Sequence, residues 1–152
     1  MLHLYYSWVN SIIGYGIIIW GGDYIENINP VVKLQNKMVK MLSCINHTPT
    51  IDHYQKLNIL PICYFFFFKA ILHFVTKENY SETRNINYNL RKKNLYLVPK
   101  SKKEILHKTI FYLSPRFYNS LPDYLISEKS PLKFKKMLKM YIIGINSIEN
   151  YF

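Results

Sequence analysis

The sequence predicts a mainly α-helical fold, a small helical bundle with a long basic loop or short extended arm. Two observations predict it: apolar residues recur at helical spacing, and Ser, Thr or Asn stands at several plausible helix starts. The 152 residues, 49% of them hydrophobic, suffice for one domain or two small subdomains with a core. We divide the chain into a helical subdomain, residues 1–75, and a basic arm with a C-terminal amphipathic helix, residues 76–152.

The first segment predicts a helix with one apolar face. Its apolar residues follow the spacing i, i+3, i+4, i+7: Tyr5, Trp8, Val9 and Ile12. The pair Gly21-Gly22 ends the helix, because glycine is favoured just past a helix C-terminus. Gly14 and Gly16 loosen the pattern, so the sequence leaves open whether Ile17–Trp20 continues the helix or breaks it.

A second helix is predicted to begin at Asn29 as N-cap, with Pro30 in the first helical position, where its missing N–H costs nothing. Five apolar residues share a stripe along this helix: Val31, Leu34, Met38, Met41 and Leu42. Three lysines share the opposite side: Lys33, Lys37 and Lys40. Ammonium groups on such a face can bind phosphates, or they can form an ordinary solvated face.

A short helix is expected before the most apolar segment of the chain. Thr50 can cap a helix that runs to Leu57, and Pro61 opens the run PICYFFFFKAILHFV, residues 61–75. This run is shorter than the ~20 residues of a membrane-spanning helix, and Lys69 interrupts it. We therefore expect a core helix, the most buried element of the fold, and no membrane partner.

Residues 76–103 are polar and basic and predict a long loop, with "NLYLVP" at 94–99 as a short strand or extended arm. Cations in this loop and after it stand beside aromatic residues and are candidate nucleic-acid contacts. They are Arg91, Lys92 and Lys93, near Tyr88 and Tyr96, and Arg116, between Pro115 and Phe117. Exposed aromatics beside cations stack on bases. The alternative is that Phe117 and its aromatic neighbours belong to the core.

The last helix is predicted to start at Ser130 and Pro131. Its apolar face consists of Phe134, Met137, Leu138 and Tyr141. Its basic face consists of Lys133, Lys135, Lys136 and Lys139. The stretch SPRFYNSLPDYL, residues 114–125, precedes this helix as a connector. Three of its residues, at a spacing of four, are predicted to dock on the core: Phe117, Leu121 and Leu125. Pro122 bends the chain between them.

Charge is distributed unevenly along the chain, whose net charge is +11. Residues 1–30 carry −2, residues 31–75 carry +4 and residues 76–152 carry +9. A basic surface attracts polyanions, first nucleic acid and second an anionic membrane. The alternative explanation is nucleotide bias, because Lys, Asn, Ile, Tyr and Phe all have A/T-rich codons. Cys44 and Cys63 are too few for a disulfide scaffold, so we expect an intracellular protein, with nucleus or cytoplasm left open.

Side chains for catalysis are sparse in the sequence. Its three aspartates, Asp23, Asp52 and Asp123, are far apart, and no phosphate-binding glycine loop is present. Zinc ligand types occur at spacings that match no common zinc motif: Cys44, His47, His53, Cys63 and His73. A cysteine–histidine nucleophile pair lacks an orienting acid. We expect no cofactor in this chain.

Several segments occur in a particular order: LYYSWVNSIIGYGIIIWGG (4–22), VVKLQNKMVKML (31–42), KLNILPI (56–62), TRN and LVP (83–99), and LSPRFYNSLPDYL with SPLKFKKMLKMYI (113–142). This succession resembles the region after the palm in reverse transcriptases of jockey-like retrotransposons, which lack long terminal repeats. Its most specific pieces are Tyr15-Gly16 with Trp20-Gly21, Leu34-Gln35, and Tyr118-Asn119-Ser120-Leu121-Pro122 followed by Phe134-Lys135.

The resemblance implies that residues 1–75 are thumb-like and that the chain grips RNA or an RNA–DNA hybrid behind a polymerase active site. The family is an RNA-directed DNA polymerase whose palm binds magnesium through adjacent aspartates. No Asp-Asp pair occurs here, so magnesium would belong to an upstream palm, and we expect no activity from this chain alone. We also expect a truncated element copy, in which Trp8, Ile12 and Phe65–Phe68 have lost a covering polymerase surface.

Two alternatives remain beside this function. The chain can be a helical protein-interaction module that uses its apolar front, Tyr5 to Trp20, as an interface. It can also be an inert remnant of a transposable element that does not fold.

Overall fold

The computed structural model describes residues 1–76, 96–128 and 130–144, and 73% of these residues are helical. It confirms the mainly α-helical fold, with eight helices and no strand in the described part of the chain. In order they are α1 (Leu2–Leu4, Tyr5–Val9 and Asn10–Trp20, which follow one another without a break), α2 (Ile25–Ser43), α3 (Ile51–Lys56), α4 (Ile62–Thr76), α5 (Glu104–His107), α6 (Ile110–Asn119), α7 (Asp123–Ile126) and α8 (Pro131–Gly144).

Helix α1 contains a π-helical turn, Tyr5–Val9, in which the Asn10 N–H donates to the Tyr5 carbonyl. The predicted apolar face is wrong: Tyr5 is buried, but Trp8 and Ile12 are 70% and 72% exposed. The wide turn changes the angle between successive side chains, so an α-helical spacing does not describe this segment. The helix continues through Ile17–Trp20, and Ile17 packs in the core.

The end of α1 lies against the core, and its glycines are needed there. The helix ends at Trp20 with Gly21 as its C-cap, as predicted. A Cβ atom on Gly21 would collide with the Phe66 ring of α4, and one on Gly22 would collide with the Lys108 carbonyl. Glycine at both positions therefore lets α1 end in close contact with its neighbours.

Helix α2 begins at Ile25, so the predicted start at Asn29 and Pro30 is wrong. The Asp23 carboxylate accepts hydrogen bonds from the Tyr24 N–H at 2.7 Å and from the Asn27 side-chain amide at 2.8 Å. The helix has thus already begun before Asn29, with Tyr24 as its N-cap residue. Pro30 is consequently a residue of the helix interior, where its missing N–H removes one backbone hydrogen bond.

The buried side of α2 also differs from the predicted stripe. Leu34 and Met41 are both 64% exposed. The buried residues are instead Ile28, Gln35 and Val39. The pattern failed here because a glutamine, counted as polar, occupies a central buried position.

Helix α4 forms the centre of the fold, and its predicted start after Pro61 is confirmed, as is the Thr50 cap of α3. It has eight buried residues, more than any other helix in the described ranges, which confirms that it is the most buried element: Ile62, Phe65, Phe66, Phe67, Phe68, Ala70, Ile71 and Phe74. The expectation that Phe65–Phe68 lacks a covering surface is therefore wrong. Helices α1, α2, α6 and α8 all pack on α4.

The stretch 114–125 seats α6 and α7 on this centre. Its first half is helical, since α6 runs through to Asn119, and Pro122 then precedes α7. The docking of three residues is confirmed, since all are buried: Phe117, Leu121 and Leu125. The Phe117 ring lies 4.7 Å from that of Phe67, centroid to centroid.

Helix α8 starts at Pro131 as predicted, with the Phe134 N–H donating to the Ser130 carbonyl at 2.8 Å. Phe134 and Leu138 are buried, which confirms the apolar face. Residues of both predicted parts, 1–75 and 76–152, join in one apolar cluster around α4. A second, smaller cluster consists of Tyr5, Val39, Tyr54 and Ile59.

Candidate nucleic-acid interface

The lysines of α2 lie away from its buried side. Lys33 and Lys37 are exposed and Lys40 is half-buried. They are spaced i, i+4, i+7, so they project from one side of the helix. The buried residues Gln35 and Val39 lie on another side, so packing leaves the three ammonium groups turned outward.

The lysines of α8 also lie away from its buried residues, but they spread more widely around the helix. Lys133, Lys135 and Lys136 are exposed, and Lys139 is half-buried. Partial burial lowers the pKa of Lys139. Phe134 and the next buried residues of this helix point into the core, so α8 presents a cationic surface to solvent.

Arg116 is exposed on α6, although the residues on either side of it are buried. Its neighbours Phe117 and Tyr118 belong to the apolar cluster around α4. The structure therefore decides between the two alternatives for these aromatics in favour of the core. Phe111, at the other end of α6, is exposed and can still meet a base.

Arg91, Lys92 and Lys93 lie outside the described residues, as does Tyr88. Tyr96, the aromatic residue predicted to accompany them, is half-buried. Its ring packs on the core, with its centroid 4.9 Å from that of the Phe74 ring.

Asn119 explains part of the stretch 114–125. Its side-chain oxygen accepts a hydrogen bond from the Tyr96 N–H at 3.0 Å, and its amide donates to the Tyr96 carbonyl at 2.9 Å. Both backbone groups of Tyr96 are thus paired with one side chain. Asn119 fixes the chain that enters α5 and α6 against the end of α6, so its role is structural.

Gln35 is a buried polar residue that connects three elements of the fold. Its Nε2 donates to the Tyr5 hydroxyl at 2.8 Å and to the Leu60 carbonyl at 2.9 Å, and its Oε1 accepts from the Ile62 N–H at 3.1 Å. A buried amide with these bonds made fixes α1, α2 and the start of α4 relative to one another. In the sequence, Leu34-Gln35 stands out only as a motif of the resemblance, and no pattern there predicts a buried role for Gln35.

Two tyrosines near Gln35 have perturbed titration. Burial raises the pKa of Tyr5, although the hydrogen bond with Gln35 opposes that effect. Burial also raises the pKa of Tyr54, whose hydroxyl donates to the Asn36 side chain. These groups stabilise the fold in their neutral form.

The chemistry available to the described residues is limited. Among them, no three His, Cys, Asp or Glu side chains come close enough to hold a metal ion. The rings of His47 and His53 lie 5.3 Å apart, but the Thr50 N–H already donates to His53 Nδ1. Burial raises the pKa of the Cys63 thiol, which disfavours the nucleophilic thiolate.

In the described ranges, no helix combines the length and the apolar character that crossing a bilayer requires.

No known family model matches this chain, and neither a curated protein nor a solved structure is significantly similar to it.

Proposed function

We propose that this chain is a non-catalytic, C-terminal part of a retrotransposon reverse transcriptase that contacts template–primer nucleic acid through Lys and Arg. The observation that carries the proposal is a surface pattern that α2 and α8 share. Each helix buries apolar residues against the bundle and turns three or four lysines outward. The ordered motifs of the sequence supply the family, by resemblance.

The two lysine faces suit a phosphate backbone. Lys33 to Lys40 extend over about 10 Å of helix, and Lys133 to Lys139 over about 9 Å. A duplex offers one phosphate per ~3.4 Å on each strand, so about three phosphates lie within reach of each face. Lysine contacts to phosphate carry no sequence information, so the binding is expected to be independent of sequence.

Catalysis is not part of this proposal. The 152 residues contain no adjacent aspartates, the pair on which the family's palm depends for magnesium. An RNA–DNA hybrid, RNA alone and an upstream polymerase palm are the partners proposed.

Fluorescence anisotropy with a labelled RNA–DNA hybrid, titrated at several salt concentrations, tests the proposal. We expect affinity to fall steeply with salt, and Lys37→Glu or Lys135→Glu to weaken binding on every sequence. The slope of log K against log salt is negative, and each variant should make it shallower by about 0.9 for each phosphate that it no longer neutralises.

The matched control is Lys56→Glu, the same charge reversal at an exposed lysine of α3, outside both faces. It should change affinity much less. Salt-independent affinity, or an equal loss in Lys56→Glu, would contradict the assignment of binding to α2 and α8.

A second candidate is a helical protein-interaction module, favoured by the exposed apolar side of α1. Size-exclusion chromatography with and without nuclease separates the two: a complex that survives nuclease favours the module, and one that dissociates favours nucleic acid. An inert remnant would show little helix by circular dichroism.

A further inference from the structure

Helix α1 presents a continuous apolar stripe to solvent. Its five residues, each between 63% and 94% exposed, are called the outer stripe: Leu4, Trp8, Ile12, Tyr15 and Ile19. They extend over about 22 Å of helix. The other side of α1 packs on the bundle through Tyr5 and Ile17, so the orientation of this helix is set, and none of the residues that the structure describes covers the outer stripe. A large exposed apolar stripe marks an interaction surface.

The charge distribution limits what the outer stripe can bind. Residues 1–22 contain no Lys, Arg, Asp or Glu, whereas the whole chain carries +11. An uncharged stripe offers no group that would attract a charged partner. Two copies of the chain repel each other through their lysine faces but meet without like-charge contact through α1. A second copy therefore has the matching chemistry.

The order of residues in the outer stripe is nearly symmetric. Read in either direction it is aliphatic, aromatic, aliphatic, aromatic, aliphatic. Leu4 and Ile19 lie equally far from a midpoint beside Ile12, and so do Trp8 and Tyr15. Two such helices, placed antiparallel about a two-fold axis, bring each aromatic opposite an aromatic and each aliphatic opposite an aliphatic.

We propose that α1 is the interface of an antiparallel homodimer, with the two-fold axis passing near Ile12. Aromatic side chains bury about 150–250 Å² each, so Trp8 and Tyr15 together offer about 300–500 Å² per copy, to which the three aliphatic residues add. A standard stable interface buries ~800 Å² per partner. Antiparallel packing also sets the positive end of one helix beside the negative end of the other. This inference goes beyond nucleic-acid binding and names a partner for the surface of the second candidate.

Analytical ultracentrifugation of nuclease-treated protein over a range of concentrations tests the dimer. We expect reversible dimerisation, weakened at least ~10-fold by Ile12→Lys, which sets two ammonium groups against each other near the axis. Ile19→Lys should weaken it as well. Leu34→Lys is the matched control, because Leu34 is an exposed leucine of α2 outside the stripe, and it should leave the dimer unchanged.

Cross-linking tests the antiparallel geometry. In a Cys44→Ser background, Ile12→Cys should form a dimer with a short bismaleimide, because the two positions meet at the axis. Ile19→Cys should not form one with itself, since its two copies are about 22 Å apart, but it should cross-link to Leu4→Cys in a mixture.

Three results would overturn the inference: a chain that stays monomeric at all concentrations, a dimer that Ile12→Lys leaves intact, or a dimer that nuclease removes. Efficient self-cross-linking of Ile19→Cys would overturn the antiparallel arrangement. Because no nucleic acid is present, failure here leaves the salt-dependent binding of the lysine faces as a separate result.

Discussion

Helices α1 and α4 are both strongly apolar, but they have opposite surroundings. The segment Asn10–Trp20 of α1 has no charged residue, and Ile62–Thr76 of α4 has only Lys69 and a histidine. Yet α4 has eight buried residues, whereas that segment of α1 has one, Ile17. Composition alone does not decide burial. Four helices surround α4, while α1 lies at the side of the bundle with only its inner face covered.

The largest loss of stability is expected from truncating a fully buried residue of α4. Phe67→Ala should lower the free energy of unfolding by about 3–5 kcal/mol, because a fully buried ring is removed and a cavity remains. Urea titration followed by circular dichroism measures it. Phe111→Ala, at an exposed phenylalanine of α6, is the control and should cost at most about 0.5 kcal/mol. Equal losses in the two variants would refute the position of α4 at the centre.

The next largest loss of stability is expected at the polar contact between α1 and the core. Gln35→Leu should destabilise the fold by about 1–3 kcal/mol, because the Leu60 carbonyl and the Ile62 N–H lose their buried partner. Tyr5→Phe removes one of the three hydrogen bonds and should cost less, about 1 kcal/mol. If Gln35→Leu is neutral in the same urea titration, Gln35 does not connect these elements as described.

Alkaline pH should weaken the smaller cluster beside α1. Burial raises the pKa of Tyr54 above its ordinary value, so the neutral hydroxyl favours the folded state. This contribution is complete below the unfolded pKa of about 10. Above that pH it is lost by up to about 1.4 kcal/mol per pH unit, until the folded pKa is reached. Tyr54→Phe should flatten the decline above about pH 10, measured by urea titration at each pH; an unchanged slope would count against it.

The smallest effect is expected on the outer side of α1. Trp8→Ala should change the free energy of unfolding by no more than about 0.5 kcal/mol at concentrations where the chain is monomeric, because Trp8 is mostly exposed. The contrast with Phe67→Ala compares two aromatic residues of two apolar helices. A loss of several kcal/mol in dilute Trp8→Ala would show that the outer stripe is covered within one chain.

Local signals in the sequence predicted the helices whose ends depend on nearby residues. Thr50 and the pair Ser130 and Pro131 mark true helix starts, because capping involves only a few neighbouring groups. Asn29 and Pro30 were an equally good local signal but failed, since the helix begins earlier, at Ile25, with Tyr24 as N-cap and no side-chain capping hydrogen bond. A helix start without a capping side chain leaves no such local signal in the sequence.

The sequence pattern could not predict which sides of α1 and α2 are buried, for a different reason. The buried side of α2 centres on Gln35, and only its partners in α1 and before α4 make that burial favourable. Those partners are distant in sequence. The lysine faces were easier to predict, because exposed positions of amphipathic helices follow from periodicity, as at Lys37 and Lys135. That they bind nucleic acid stays a prediction.

The π-helical turn Tyr5–Val9 holds one residue more than an α-helical turn needs. Deleting one residue there would let the turn close as an α-helical turn and would leave the residues before it in about the same orientation. Deleting one residue from the α-helical segment Asn10–Trp20, which has none to spare, would instead rotate Tyr5 and the residues before it by about 100° about the helix axis. Tyr5 would then swing away from Gln35, and Leu4 would leave its line with Ile19. This second deletion would thus be felt twice, once as reduced stability inside the bundle and once as a disrupted line of side chains outside it.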